Sequence, residues 1–170
     1  MVAQHSSMSS DPHPGNNFSL EDVDGVAQWL ARFHSLYFCS LGSVRCDVIA
    51  LDDEAIFWLD ALKNKNATFT GDCEDEDFDV IDSLEVQSMI KDYLHKTMAY
   101  SVVVMDEDIA DSWARSFVES FTRQDSTGVT WYSNRGDGWN PVTEATFDFC
   151  VVVVDSVSNA VGYLLITDED

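Results

Sequence analysis

Residues 147–167 have the sequence FDFCVVVVDSVSNAVGYLLIT, in which two apolar runs flank a polar turn. The runs 147–154 and 161–167 are rich in β-branched and aromatic residues, and Asp155-Ser-Val-Ser-Asn159 lies between them. Runs of this composition bounded by turn residues are typical of β-strands, and the short connection favours an antiparallel hairpin. A third such run, 129–133, extends the prediction to a C-terminal β-meander.

The chain before this stretch alternates between helical and strand-like patterns. Apolar residues that recur every three or four positions predict amphipathic helices, and β-branched runs predict strands. The predicted helices cover Leu20–Phe38, Asp52 to about Asn64, a segment capped by Ser83, and a segment that starts at Asp106 or Asp108; the predicted strands cover Val44–Leu51 and Tyr100–Met105. Helices first and a meander last predict an α+β domain with N-terminal helices packed on one face of a mostly antiparallel sheet.

Composition predicts one folded domain over residues 18–170. Of the 170 residues, 45% are hydrophobic, which is too many for an acidic disordered chain. Residues 1–17 are mostly small and polar, and they predict a flexible N-terminal arm. The arm lacks the basic start and apolar core of a signal peptide, and no run approaches 18 apolar residues, so a cytoplasmic protein is expected.

The formal net charge of −22, from 31 acidic and nine basic side chains, is concentrated in clusters. The largest cluster comprises Asp72, Glu74, Asp75, Glu76, Asp77, Asp79 and Asp82. Three smaller clusters comprise Asp52, Asp53 and Glu54; Asp106, Glu107, Asp108 and Asp111; and the terminal Asp168, Glu169 and Asp170. Such a field repels nucleic acids and anionic membranes, and it attracts basic proteins. The crowded acids at 72–82 are expected to contribute nothing to stability, because no base lies near them in the sequence.

Rows of short acidic side chains can imitate a nucleic acid. Duplex DNA presents about one negative charge per 1.7 Å of axis, and carboxylates on alternate residues of an extended segment lie ~6.8 Å apart on one face. Exposed ion pairs alone add little affinity, so apolar anchors are also needed. Phe78, within the largest cluster, and Trp139, between turn residues, are the candidate anchors; Trp139 is alternatively a lid on the core.

The motifs of common catalytic and metal sites are missing from the sequence. No phosphate-binding loop, nucleophile elbow, dinucleotide fingerprint or zinc-protease motif is present. The triad Asp75-x-Asp77-x-Asp79 copies the start of a calcium loop, but Val80 and Val86 stand where that loop needs Gly and Glu. Cys73 is flanked by acids that disfavour a thiolate. No catalytic residue, metal or cofactor is therefore expected.

These observations favour a non-catalytic inhibitor that binds a basic nucleic-acid-binding protein by charge mimicry of DNA or RNA. Two versions fit equally: an anti-restriction or other anti-defence DNA mimic, and an immunity protein that blocks a toxin nuclease. The alternatives are an acidic enzyme or scaffold, and a halophilic protein whose acidity is an adaptation to salt. The sequence is compatible with a monomer or a homodimer.

Overall fold

The computed structural model describes residues 42–51, 57–65, 68–70, 72–121 and 127–168. In chain order the elements are β1 (Gly42–Ala50), α1 (Trp58–Lys65), β2 (Asp79–Ile81), α2 (Ser83–His95), α3 (Glu107–Phe121), β3 (Val129–Ser133), β4 (Phe147–Asp155) and β5 (Ala160–Asp168). They form one mixed α+β domain, which confirms the predicted class. The predicted arm at 1–17, the helix over 20–38 and the acids at 52–54 lie outside the described residues.

The five strands form one antiparallel sheet with the order β1-β5-β4-β3-β2. The predicted meander is confirmed, since β3 pairs with β4 and β4 pairs with β5. Strands from earlier in the chain add to both sides of it, β1 to β5 and β2 to β3. The short strand β2 was not predicted, because only three of its residues pair.

The turn between β4 and β5 is built by Asp155. Its carboxylate accepts hydrogen bonds from the Val157 nitrogen at 2.8 Å and from the Ser158 hydroxyl at 2.7 Å. Asn159 closes the turn with a φ of 51°, a left-handed conformation that Asn adopts more readily than most residues. Local side-chain chemistry therefore sets the hairpin that the sequence predicts.

Both faces of the sheet are buried, so the expectation of helices on one face is wrong. Phe149, Val151 and Val153 of β4 pack in one core with residues of α2 and α3. Cys150 and Val152 pack in a second core with α1 and the residues around it. Strands that are covered on both faces have nearly continuous apolar sequences, which explains the composition of β4 and β5.

The predicted strand at Tyr100–Met105 is also wrong. Only one isolated bridge, between Lys96 and Val103, occurs there, and Val102 and Val103 are 55% and 59% exposed. The segment instead connects α2 to α3, with the amides of Val104 and Met105 donating to the His95 carbonyl. Strand propensity depends on a sheet surface against which the side chains can pack, and the side chains of Tyr100, Val102 and Val103 are instead exposed.

Candidate protein-binding surface

Residues 72–82, here called the acidic segment, have an ordered backbone. Asp75–Asp77 form a single 3-10 turn. The amides of Asp77 and Phe78 donate to the carbonyls of Glu74 and Asp75, each at 3.1 Å. The Asp77 carboxylate accepts a further hydrogen bond from the Glu74 nitrogen at 2.9 Å. These bonds connect residues 74–78 to one another.

Two buried side chains attach the acidic segment to the core. Cys73 and Phe78 are both buried in the core that contains α1. The Phe78 ring meets the Trp58 ring edge-on at a centroid distance of 5.3 Å. Phe78 is therefore an internal anchor of the segment, and the prediction that it is an exposed contact for a partner is wrong.

Three acids of the segment make structural hydrogen bonds, which contradicts the expectation that none would serve stability. Besides the Asp77 contact, Asp79 Oδ2 accepts from the Asp137 nitrogen at 2.9 Å. Asp82 Oδ1 accepts from the Leu84 and Glu85 nitrogens at 2.9 and 2.8 Å. Asp82 is thus the N-cap of α2 in place of the predicted Ser83. A charged cap also interacts favourably with the positive end of the helix dipole.

The other four carboxylates of the segment point into solvent. Asp72, Glu74, Asp75 and Glu76 are all exposed. Within the described parts of the chain, no Lys or Arg nitrogen lies within 4 Å of any of these four. They are exposed charges that have no ion-pair partner among the described residues.

The second described acidic cluster lies at the start of α3 and is partly neutralised. Glu107 is 3.0 Å from the Lys91 ammonium, and Asp111 pairs with Arg115 one turn further along the helix. The hydrogen bond to Lys91 lowers the pKa of Glu107, and the hydrogen bond to Glu107 raises the pKa of Lys91. Asp106 Oδ1 accepts from the Asp108 nitrogen at 3.0 Å, so it supports the start of α3 as predicted.

The two clusters lie at different places along α2. Asp82 caps its first turn, and the second cluster contacts α2 at Gln87 through Asp111 and at Lys91 through Glu107. At about 1.5 Å per residue, these contacts lie ~8 and ~14 Å from Asp82 along the helix axis. The second cluster therefore lies further along α2 than the acidic segment.

Trp139 is both fixed and partly accessible. The residue is 40% exposed, and its ring lies 5.8 Å from the Phe147 ring, with the Arg135 guanidinium 4.9 Å from its centroid. Its indole nitrogen donates to Asp148 Oδ1 at 3.1 Å. One edge of the ring is held by the core while part of it faces solvent, so its contact with a partner stays a prediction.

The fully buried carboxylate of Asp148 was not identified from the sequence. It accepts five hydrogen bonds, from the nitrogens of Val142 and Thr143, the Thr143 hydroxyl, the Asn134 side-chain amide and the Trp139 indole. Asp148 thereby organises the loop 134–143. That loop supports the acidic segment, since Asp137 donates to Asp79 and the Asn140 side chain donates to the Asp77 carbonyl at 3.4 Å.

The described cysteines are buried thiols. Burial, and secondarily Asp77, raises the pKa of Cys73 to about 11. Burial also raises the pKa values of Cys46 and Cys150. The thiolate is the reactive form of cysteine, so all three thiols are held in the unreactive form at neutral pH. At Cys73 the main cause of the raised pKa is burial, and the flanking acids Asp72 and Glu74, from which the sequence predicts a poor nucleophile, are not among its causes.

Comparisons with protein-family models, with curated protein sequences and with solved structures find no match to this chain. Among the described residues, no three His, Cys, Asp or Glu side chains are grouped as ligands of a metal ion. No helix in the described ranges is long and apolar enough to cross a membrane.

Proposed function

We propose that this protein is a non-catalytic inhibitor that binds a basic nucleic-acid-binding protein through the acidic segment. One observation carries the proposal: Asp72, Glu74, Asp75 and Glu76 are exposed on a hydrogen-bonded backbone that Cys73 and Phe78 attach to the core. An ordered row of charges can match an ordered basic groove without a large entropy cost on binding.

The acidic segment concentrates exposed negative charge in a short stretch of chain. Asp72, Glu74, Asp75 and Glu76 are four exposed carboxylates within five residues. Duplex DNA is likewise densely charged, with about one negative charge per 1.7 Å of axis. A groove lined with Lys and Arg that binds phosphates could therefore pair with several of these carboxylates at once.

The net charge of −22 would act over a longer range and accelerate encounter with a basic partner. This steering is screened by salt, since the Debye length falls from about 10 Å at 0.1 M to about 3 Å at 1 M. A partner occupied in this way would lose access to DNA or RNA. Restriction or other defence enzymes and toxin nucleases share the required basic groove, so both partner classes belong in one test.

The test measures inhibition of a purified restriction endonuclease and a purified toxin nuclease, at low and high salt. We expect stoichiometric inhibition of at least one enzyme, with association that slows as salt increases. The variant E74Q/D75N/E76Q should weaken inhibition about tenfold, mostly through the association rate. The matched control D60N/E119Q/E144Q removes the same charge from exposed positions elsewhere. Equal losses in both variants, or inhibition of neither nuclease, would overturn the proposal.

An inhibitor and a halophilic protein are expected to differ in the salt concentration that they need in order to fold. Repulsion among like charges destabilises a compact chain at low ionic strength, so salt should stabilise the protein under either interpretation. An inhibitor of a cellular enzyme must nevertheless be folded at physiological ionic strength. A cooperative circular-dichroism melt in about 0.15 M KCl is expected. An unfolded spectrum that only molar KCl restores would instead indicate that the acidity serves solvation.

A further inference from the structure

A cleft of about 390 Å³ lies at the end of β2. It exists because β2 pairs with β3 only from Asp79 to Ile81, after which the chain turns into α2. Strand β3 extends two residues beyond the last pair, to Val129. The cleft is lined by Val80, Ile81, Asp82, Ser83, Val129, Thr130 and Trp131. Its volume is at the lower end of the range for ligand sites, about 300–1,000 Å³.

The cleft combines an apolar interior with apolar side chains at its border. Trp131 is buried, and Ile81 and Val129 pack against the same core. Val80 and Leu84 are 69% and 78% exposed. A single exposed aliphatic residue is ordinary on a protein surface. Val80 lines the cleft, and Leu84 directly follows the lining residue Ser83 in the chain. A partner side chain that enters the cleft could therefore cover exposed apolar surface.

Asp82 is the charged residue that lines the cleft, and the charged residues nearest to it in the sequence, Asp79 and Glu85, are acidic as well. Asp79, Asp82 and Glu85 lie along the same stretch of chain, directly after the exposed acids of the acidic segment. Asp82 uses Oδ1 for its cap contacts and Asp79 uses Oδ2 for Asp137. One oxygen of each carboxylate therefore has no hydrogen-bond partner among the described residues. No Lys or Arg is among the residues that line the cleft.

We propose that this cleft binds an extended segment of the basic partner, in which one apolar side chain enters the cleft and the flanking Lys or Arg side chains pair with Asp79, Asp82 and Glu85. The inference rests on the proposed function, since it names the part of the partner that docks. An extended peptide beside an edge strand is an established mode of recognition, with side-chain pockets providing specificity.

A second copy of the chain is a poor occupant of the same cleft. Pairing of two β2 strands would bring Asp79 and Asp82 of each copy close to those of the other. Like charges that face each other across strands destabilise the pairing, and each copy has a net charge of −22. The acids that prevent self-pairing are thus the same ones that select a basic segment.

The test uses a labelled synthetic heptapeptide that alternates lysine with valine, and a second that alternates lysine with serine. We expect the lysine–valine peptide to bind more tightly to the full-length protein, by about tenfold, because only it buries an apolar side chain. The variant Ser83→Phe fills the cleft without changing any charge and should weaken this binding about tenfold. The matched control Ser88→Phe places the same ring at an exposed site elsewhere on α2 and should leave binding unchanged. Thermal melts of both variants establish that they fold.

The outcomes separate this inference from the proposed function. Equal binding of the two peptides, or full binding of the lysine–valine peptide by Ser83→Phe, would contradict the proposal that the cleft binds an apolar side chain. Either result would leave the proposed inhibition by charge unaffected. Unchanged nuclease inhibition by E74Q/D75N/E76Q would overturn the proposed function whatever the cleft binds. A concentration-dependent dimer that Ser83→Phe abolishes, seen by analytical ultracentrifugation, would show that a second copy is the occupant and would contradict the inference.

Discussion

Gly162, the third residue of β5, lies directly beneath the ring of Phe121 at the end of α3. A Cβ atom on Gly162 would be 2.5 Å from Cε1 and 2.7 Å from Cζ of that ring. No side chain fits at this position unless Phe121, itself fully buried, moves. The close approach of α3 to the sheet therefore depends on glycine at residue 162.

The substitution Gly162→Ala should consequently destabilise the protein by about 1–3 kcal/mol through overpacking. The matched control is Gly138→Ala, since a Cβ there meets nothing within 4 Å. It should change stability by less than about 0.5 kcal/mol. Urea denaturation followed by circular dichroism measures both values. Equal stabilities of the two variants would mean that Phe121 can move aside at no cost.

Asp148→Asn should be among the most destabilising single-atom changes in the molecule. The amide that replaces one carboxylate oxygen brings N–H donors toward groups that are already donors, among them the nitrogens of Val142 and Thr143. Loss of hydrogen bonds to a buried charge should cost about 2–5 kcal/mol. Glu144→Gln, an exposed change in the neighbouring turn, is the control. The prediction is wrong if urea denaturation gives both variants the same midpoint.

The N-cap of α2 can be assigned by a pair of variants. Asp82→Ala should lower stability by about 0.5–2 kcal/mol, because two amide groups at the start of the helix lose their acceptor. Ser83→Ala should have a smaller effect, although Ser83 is the cap that the sequence pattern suggests. Thermal melts at one pH compare them. The assignment of Asp82 fails if Ser83→Ala proves to be the more damaging change.

The Lys91–Glu107 pair should contribute a pH-dependent term to stability. Because the pKa of Glu107 is lowered in the folded state, its contribution is complete above the ordinary glutamate value of about 4.3 and is lost as pH falls through the folded pKa. Because the pKa of Lys91 is raised, its contribution is complete below the ordinary lysine value of about 10.4 and is lost as pH rises through the folded pKa.

The variant Lys91→Gln tests this directly. An NMR titration of the Glu107 carboxyl carbon should show its pKa rising toward the ordinary value, since the hydrogen bond to Lys91 is the largest cause of the shift. Lys65→Gln removes an equal charge from an exposed position on α1 and should leave the Glu107 titration unchanged. An unaltered titration in Lys91→Gln would show that the pair does not persist in solution.

The buried thiols should react slowly in the folded protein. Burial raises the pKa of Cys73 to about 11 and blocks access to it. Ellman's reagent at pH 8 should therefore modify Cys46, Cys73 and Cys150 far more slowly than it does in urea, where all three are solvated. Fast modification of Cys73 in the native state would indicate that the acidic segment detaches from the core readily.

Much of the fold was predictable because several elements are specified by nearby residues. The β4–β5 hairpin follows from two apolar runs and the hydrogen-bonding capacity of Asp155 between them. Helix α3 follows from apolar residues in steps of three and four, and from Asp106 at its start. In both cases the signal and the structure it predicts lie within one short segment of chain.

The candidate site was predictable in its charge but not in its geometry. The carboxylates at 72, 74, 75 and 76 are exposed, as the clustering of acids in the sequence predicted. Phe78 was assigned to the surface, but it is buried because Trp58, twenty residues away, packs against it. The role of Asp148 could not be predicted, because the donors that contact its carboxylate come from the loop 134–143 and not from its own strand.

The sequence by itself determined the α+β class, the C-terminal meander and the acidic surface, since each depends on local pattern or on composition. Only the tertiary structure decided that β1 adds to the far side of β5, that helices cover both faces of the sheet, and that β2 ends in an apolar cleft. The physical reason is that burial and pairing are properties of two segments at once. A pattern within one segment reports its own conformational preference and carries no information about which distant segment will pack against it.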